Sequence, residues 1–397
     1  MPKKSYTFVI TGGGIGGVMA ALALAKNGHR VHLLEQASEF KEIGAGIQLG
    51  PNAFHLFDLL DLTKQITALS AFPDDLIVMD SLSGEKIKDI PAATLIRNRF
   101  GYPYGLIHRA DLHSVLLDAC RGLPQISMHS GTKMTEFEDL GDRVVAHTES
   151  GERYTGDALI GADGLWSSVR AKIVDDGKPR ISGHIAYRAV LPAEEVPAAN
   201  RHNAMTLWAG PKNHLVHYPL RGGKLFNLVA VFHSNRYEEG WDSYGDTEEL
   251  TLRFQGVVPE VKQMLDKIES WRMWVLCDRE PIKEWTKGRV TLLGDAAHPM
   301  LQYLAQGACM AMEDAVCLAR KVESSDDIAT ALTAYQDTRY LRTARAQLTA
   351  RLYGNVYHAM GATRDLRNDY LRSRTAEQFC EGNAWLYDPA EFKQSLG

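Results

Sequence analysis

The chain has 397 residues, 45% hydrophobic and 23% charged, with a formal net charge of −5 at pH 7. That length is too great for one ordinary core and predicts two closely packed lobes. The acidic balance, without a Lys/Arg stripe, argues against a nucleic-acid surface, and no apolar run reaches the roughly 18 residues of a membrane span.

The first predicted element is the most informative. An apolar strand, Phe8-Val9-Ile10-Thr11, runs into Gly12-Gly13-Gly14-Ile15-Gly16-Gly17. A helix of small residues follows over 18–26, Asn27-Gly28 stops it, and a second strand, Val31-His32-Leu33-Leu34, ends on Glu35. Gly12 allows the tight turn, Gly14 lets backbone N–H groups approach a pyrophosphate, and Gly17 lets helix and strand pack closely. The helix N-terminus turns its unpaired donors and partial positive charge toward the phosphates. Glu35, 18 residues after Gly17, is placed to accept hydrogen bonds from a ribose diol. The unit predicts an adenine-dinucleotide site, with Gly12, Gly14, Ile15, Gly16, Gly17 and Glu35 as its contacts.

Further along, 44–52 reads as a loop feeding a helix over 53–60, and 76–90 as a hairpin around Ser83-Gly84. A helix opens at 108–113, with Asp111 as the expected cap. Residues 143–148 and 153–160 alternate like paired strands and lead into Leu159-Ile160-Gly161-Ala162-Asp163-Gly164. From about 180 to 280 the period changes to two, including 204–208, 214–219 and 226–233, which predicts an antiparallel sheet. A buried strand then returns at 289–295, ending in Gly294-Asp295, and long helices follow over 308–322 and 328–357. The dinucleotide lobe is therefore expected to be discontinuous. Cys120, Cys277, Cys309, Cys317 and Cys380 show no CxxC or Cys/His spacing, so they read as thiols of a reducing cytosol, with no metal site expected. The N-terminal apolar stretch, broken by glycines, does not read as a signal peptide, which also predicts a cytoplasmic location.

Three glycine-acid elements (the Gly12 loop with Glu35, Gly161-Ala162-Asp163-Gly164-Leu165-Trp166-Ser167-Ser168-Val169-Arg170, and Gly294-Asp295-Ala296-Ala297-His298-Pro299) together resemble those of the FAD-dependent aromatic hydroxylases, the single-component flavoprotein monooxygenases of the p-hydroxybenzoate hydroxylase type. The resemblance covers nearly the whole chain. It implies an α/β fold: a discontinuous Rossmann-like FAD-binding domain (1–75, 106–180 and 281–397), with a substrate domain made of a hairpin (76–105) and an inserted antiparallel sheet (181–280), and a helical C-terminal region. It implies that Glu35 holds the adenosine ribose, Arg109 reaches the pyrophosphate or ribityl chain, Asp295 binds the ribityl chain and Gln48 lies along the flavin. Asp163 would sit behind the pyrophosphate. The Gln306-Gly307-Ala308 turn would present backbone N–H groups to the flavin pyrimidine edge, where a helix dipole suits the negative charge of the reduced ring. One fingerprint and no redox CxxC leave a nicotinamide donor as a visiting co-substrate and O2 as the acceptor; NADH and NADPH both stay open, with the few Arg/Lys near Glu35 and the family resemblance leaning to NADH.

The same resemblance implies that a flavin C4a-hydroperoxide delivers oxygen to an activated ring. A phenol with a pKa near 10 is ionised in only about one molecule in a thousand at pH 7, a deficit of roughly 4 kcal/mol. A hydrogen-bonded histidine recovers part of that. On the strand 214–219, residues 214, 216 and 218 share one face while His217 points the other way, so His214, Val216 and Tyr218 form a candidate substrate wall. His298, close to Gly294-Asp295, is a competitor. Gln302 stands where many relatives carry proline and adds a side-chain donor and acceptor beside the ring. His214, Tyr218 and Gln302, with 277–282 and the tail Arg367-Asn368-Asp369-Tyr370, resemble the branch of the family that converts 3-hydroxybenzoate to 2,5-dihydroxybenzoate (gentisate). The branches acting on 6-hydroxynicotinate and salicylate remain rivals. So do two other classes: a nicotinamide-dependent dehydrogenase using the Gly12 loop, and a flavin-binding protein without turnover. No arginine is assigned to the substrate carboxylate; Tyr218, Gln302 or backbone donors are the candidates. The helical C-terminal third is expected to serve any homodimer contact.

Overall fold

The structure is a computed structural model that describes residues 4–41, 46–235 and 244–388. Gly44 and Ala45 of the predicted 44–52 loop lie outside the described residues. The apolar N-terminal strand, Thr7–Thr11, lies inside a six-stranded sheet ordered Thr286–Lys287, Val290–Leu292, Ala158–Gly161, Thr7–Thr11, Arg30–Leu34, Ile126–His129. All pairings are parallel except the one to the edge strand Thr286–Lys287. Phe8, Val9 and Ile10 are fully buried, because parallel strands covered on both faces read as apolar runs rather than alternations. The helices Ile15–Lys26 and Gly307–Glu323 pack against one another. The strand Val290–Leu292 completes the parallel sheet from far downstream, so the sheet is discontinuous in sequence.

The second large sheet has seven strands, ordered Arg272–Asp278, Arg180–Pro192, Leu225–His233, Asn213–Leu220, Ala204–Gly210, Asp75–Asp80, Lys86–Pro91. It is antiparallel except where Ala204–Gly210 meets Asp75–Asp80, so the hairpin around Gly84 extends this sheet. The expected strand over 153–160 is in fact two. Arg153–Gly156 pairs with Val144–Thr148, whereas Ala158–Gly161 enters the parallel sheet beside Thr7–Thr11.

Asp111 does not cap its helix. Arg109–Arg121 starts after His108 without a side-chain cap, and the Asp111 carboxylate instead accepts from Arg221 Nη2 at 2.7 Å. A carboxylate in the first helical turn satisfies the dipole while leaving its oxygens available for a cation. The C-terminal helices include Ile328–Tyr357 and Ala362–Ser373. The latter is fastened to the hairpin where buried Asp80 accepts from Arg364, Arg367 and Asn368. Among the described residues, no helix is long and apolar enough to cross a membrane.

Candidate active site

The nucleotide cradle is built by close backbone contact. Gly12 has φ +107°, and a Cβ on Gly17 would lie 1.9 Å from the Gly12 carbonyl oxygen; only glycine fits either position. Gly14 precedes the helix Ile15–Lys26 with no side-chain cap, so the first-turn N–H groups remain available to a phosphate. Glu35 directly follows the second strand, and its carboxylate accepts from the N–H groups of Gly13 at 2.7 Å and Ala37 at 2.8 Å. Those bonds fix the acid at the mouth of the glycine loop.

Gly14, Ile15 and Gly16 open into one continuous cavity that also meets Gln48, Arg109, Ala162, Gly164, Asp295, Gln306, Gly307 and Ala308. Residues from distant segments of the sequence thus share one groove. Also lining it is the start of the 17-residue helix Gly307–Glu323, whose N-terminus has no side-chain cap. Gln306 is held there as its Oε1 accepts from Asn52 Nδ2 at 3.0 Å. A cradle that excludes any Cβ, an acid at its mouth and a second uncapped helix N-terminus on the same groove fit an FAD in both shape and charge. Asp163 is engaged within its own loop, accepting from the Ser168 N–H at 2.8 Å and from Ser167 Oγ at 2.5 Å; its neighbours Ala162 and Gly164 face the groove.

Beyond the groove, the same cavity reaches the antiparallel sheet. His214, Val216 and Tyr218 line it from Asn213–Leu220, and Gln302 joins them from the turn Gln302–Leu304. His217 points to the other face, where it accepts from Trp208 Nε1 at 3.1 Å. His298 lies elsewhere: it is 1% exposed and bonds Asp314 Oδ2 at 2.5 Å, which also receives the Gly294 N–H at 3.0 Å. It therefore supports the Gly294 turn. Gln48 accepts from the Tyr104 hydroxyl. Burial raises the pKa of Tyr218 and lowers that of His214 to about 3. Both groups are therefore neutral at pH 7, with His214 present as the free base.

Several lining residues carry no sequence signal. Arg188, in the long strand Arg180–Pro192, is half-buried along the cavity, donates from Nη2 to Gln302 Oε1 and stacks 5.3 Å above Trp274. Its Nε has no hydrogen-bond partner among the described residues. Burial lowers its pKa to about 10, so it stays cationic. Period-two patterning could have shown which face it occupies, but not that this face looks into the groove. Tyr353, Tyr357, Phe379, Asn383 and Tyr387 close the cavity from the C-terminal helices. His214 Nδ1 meets His358 Nε2 at 2.7 Å. His358 also bonds His233, and ring nitrogens of His184, His233 and His358 come within 4.8 Å of one another. These histidines are too far apart in sequence for any spacing rule to join them.

A family model described as an FAD binding domain matches residues 5–348 of the chain. A 3-hydroxybenzoate 6-hydroxylase of Klebsiella oxytoca is 46% identical over 385 residues, covering 97% of each protein. One from Polaromonas naphthalenivorans (strain CJ2) is 44% identical over 380 residues, covering 96% of this chain and 95% of that protein. Among solved structures, Klebsiella pneumoniae HpxO complexed with FAD and uric acid superposes with a TM-score of 0.85 at 26% identity, covering 97% of both chains.

Proposed function

Because the chain belongs to the FAD-binding-domain family that includes the 3-hydroxybenzoate 6-hydroxylases, we propose that it is an FAD-dependent monooxygenase converting 3-hydroxybenzoate, NADH, H+ and O2 to 2,5-dihydroxybenzoate, NAD+ and water. The observation that carries this reading is the single cavity joining the glycine cradle to the wall of His214, Tyr218, Gln302 and Arg188. FAD, reduced by NADH, supplies the activation of O2 for transfer of one oxygen atom to the ring. Gly12, Gly14, Ile15, Gly16, Gly17, Glu35 and Arg109 would hold its adenosine-diphosphate half. Asp295 and Gln48 would bind along the ribityl chain and ring, and the N–H groups of 306–308 would meet the pyrimidine edge. Asp163 would act indirectly, by holding its loop behind the pyrophosphate.

His214 takes the phenolic proton. Present as the free base, it accepts the phenolic O–H and its proton, leaving a phenolate that pushes electron density to the carbon opposite the oxygen, where the second hydroxyl enters. Tyr218 and Gln302 orient the ring through hydrogen bonds. Arg188 binds the substrate carboxylate: a desolvated guanidinium with an unfilled N–H is stabilised most by an anion. That need for an anion favours an aromatic acid over a neutral phenol.

The deciding experiment measures NADH consumption by the holoenzyme with hydroxybenzoates, 6-hydroxynicotinate and salicylate, and identifies the product. Gentisate formed from 3-hydroxybenzoate in step with NADH supports the reading; a better turnover of another acid, or none, overturns it. The reading places the enzyme in the cytoplasm, on its cysteine pattern. It also takes it as a homodimer through the exposed Leu341, Leu348 and Leu352 of Ile328–Tyr357. Light scattering of the eluting enzyme checks the dimer.

A further inference from the structure

The phenolic proton needs somewhere to go. His214 is 3% exposed and His358 5% exposed, and an imidazolium in so dry a place is costly. The hydrogen bonds nevertheless continue outward from the pocket. His214 Nδ1 meets His358 Nε2 at 2.7 Å, which leaves Nε2 of His214 for a ligand, and His358 Nδ1 meets His233 Nε2 at 3.0 Å. His233 is only partly buried, at the end of the strand Leu225–His233.

The geometry points to a proton conduit in which His358 and His233 carry the proton taken by His214 out to solvent. This rests on the reading of His214 given above. The phenol O–H bond breaks and the proton joins His214 Nε2, while the proton on His214 Nδ1 passes to His358 Nε2. That on His358 Nδ1 passes to His233 Nε2, and His233 gives its Nδ1 proton to water. Each ring changes tautomer and ends neutral, so no charge has to be stored in the interior; the phenolate and one solvated proton are the only charges produced. Both nitrogens of His358 are engaged in this line, as a relay requires.

The surrounding groups favour outward transfer. Lys212 and Arg253 lower the pKa of His233 after burial itself, so a proton reaching it is driven on to water. The nearby Glu249 carboxylate is taken up by Ser234 Oγ at 2.7 Å and Arg253 Nη2 at 3.4 Å. Tyr303 and Tyr357 face His214 with their rings and are uncharged. His184 stacks on His233 with centroids 4.2 Å apart and bonds Tyr303, beside the line rather than in it.

The test mixes oxidised holoenzyme with 3-hydroxybenzoate in weakly buffered solution and follows a pH indicator by stopped flow, with the flavin spectrum reporting ligand binding. The parent should release about one proton per bound ligand. His358→Gln, whose amide hydrogen-bonds but cannot switch tautomer, should bind ligand and release the proton at least tenfold more slowly. His233→Gln, altered near the surface where folding is least at risk, should do the same. Release at the parental rate in either variant, or a parent that hydroxylates without releasing a proton, overturns the conduit and leaves the hydroxylase reading standing. A parent that does not hydroxylate any phenolic acid overturns the hydroxylase reading instead.

Discussion

At the scale of single residues the site depends on burial that fixes charge states. His214 is held as a free base by desolvation, so His214→Ala should keep FAD, seen in its visible spectrum, and lose about 10²- to 10⁴-fold in product formation, read by chromatography. Product at the parental rate would remove it from the reaction. Arg188 is the opposite case, a cation kept charged in the cavity, where it donates to Gln302 and lies over the Trp274 face. Arg188→Gln should raise KM for 3-hydroxybenzoate roughly 10- to 100-fold with a smaller change in kcat, because a carboxylate anchor stabilises bound substrate and transition state alike. An unchanged KM would assign the carboxylate elsewhere.

At the scale of elements, two buried ionic clusters hold the helices that shape the cavity. Arg339 bonds both Glu313 and Asp314, and Arg342 bonds Glu313, fixing Ile328–Tyr357 against Gly307–Glu323. Asp80 ties Ala362–Ser373 to the hairpin. Burial alone would raise the pKa of Asp80, but hydrogen bonds from Arg364, Asn368 and the N–H groups of Ser83 and Leu82 outweigh it and hold the carboxyl well below its usual range. Asp80→Asn leaves Arg367 buried beside a neutral partner, and should destabilise by about 3 kcal/mol in urea denaturation. A midpoint equal to that of the parent would show that the cluster is not a structural clamp.

At the scale of the whole molecule, burial lowers the pKa of His184, His214, His217, His233 and His358. The unfolded chain binds those protons near pH 6.5 while the folded one refuses them. Stability is therefore complete above about pH 6.5 and is lost as pH falls toward the folded values, at up to about 1.4 kcal/mol per pH unit for each histidine. Urea midpoints measured at pH 7.5, 6.5 and 5.5 should fall, with the larger step below 6.5. A flat series would contradict the burial of the cluster.

The sequence by itself determined the parts whose signals are local. Gly12, Gly17 and Glu35 declare a dinucleotide cradle because a turn, a close approach and a terminal acid each demand a particular residue type at a fixed spacing. The alternation of 214–219 likewise separates the face of His214 and Tyr218 from that of His217, because side chains on a strand alternate. The change to period two after residue 180 announces an antiparallel sheet. Tertiary structure decided what depends on long-range packing. It split 153–160 between two sheets, turned Asp111 from a cap to a partner of Arg221, and brought Arg188 into the cavity that His214 and Tyr218 line. It also assembled His214, His358 and His233 into one hydrogen-bonded line. Desolvation and contact between residues more than a hundred positions apart arise only when the chain closes on itself, so no spacing in the sequence could report them.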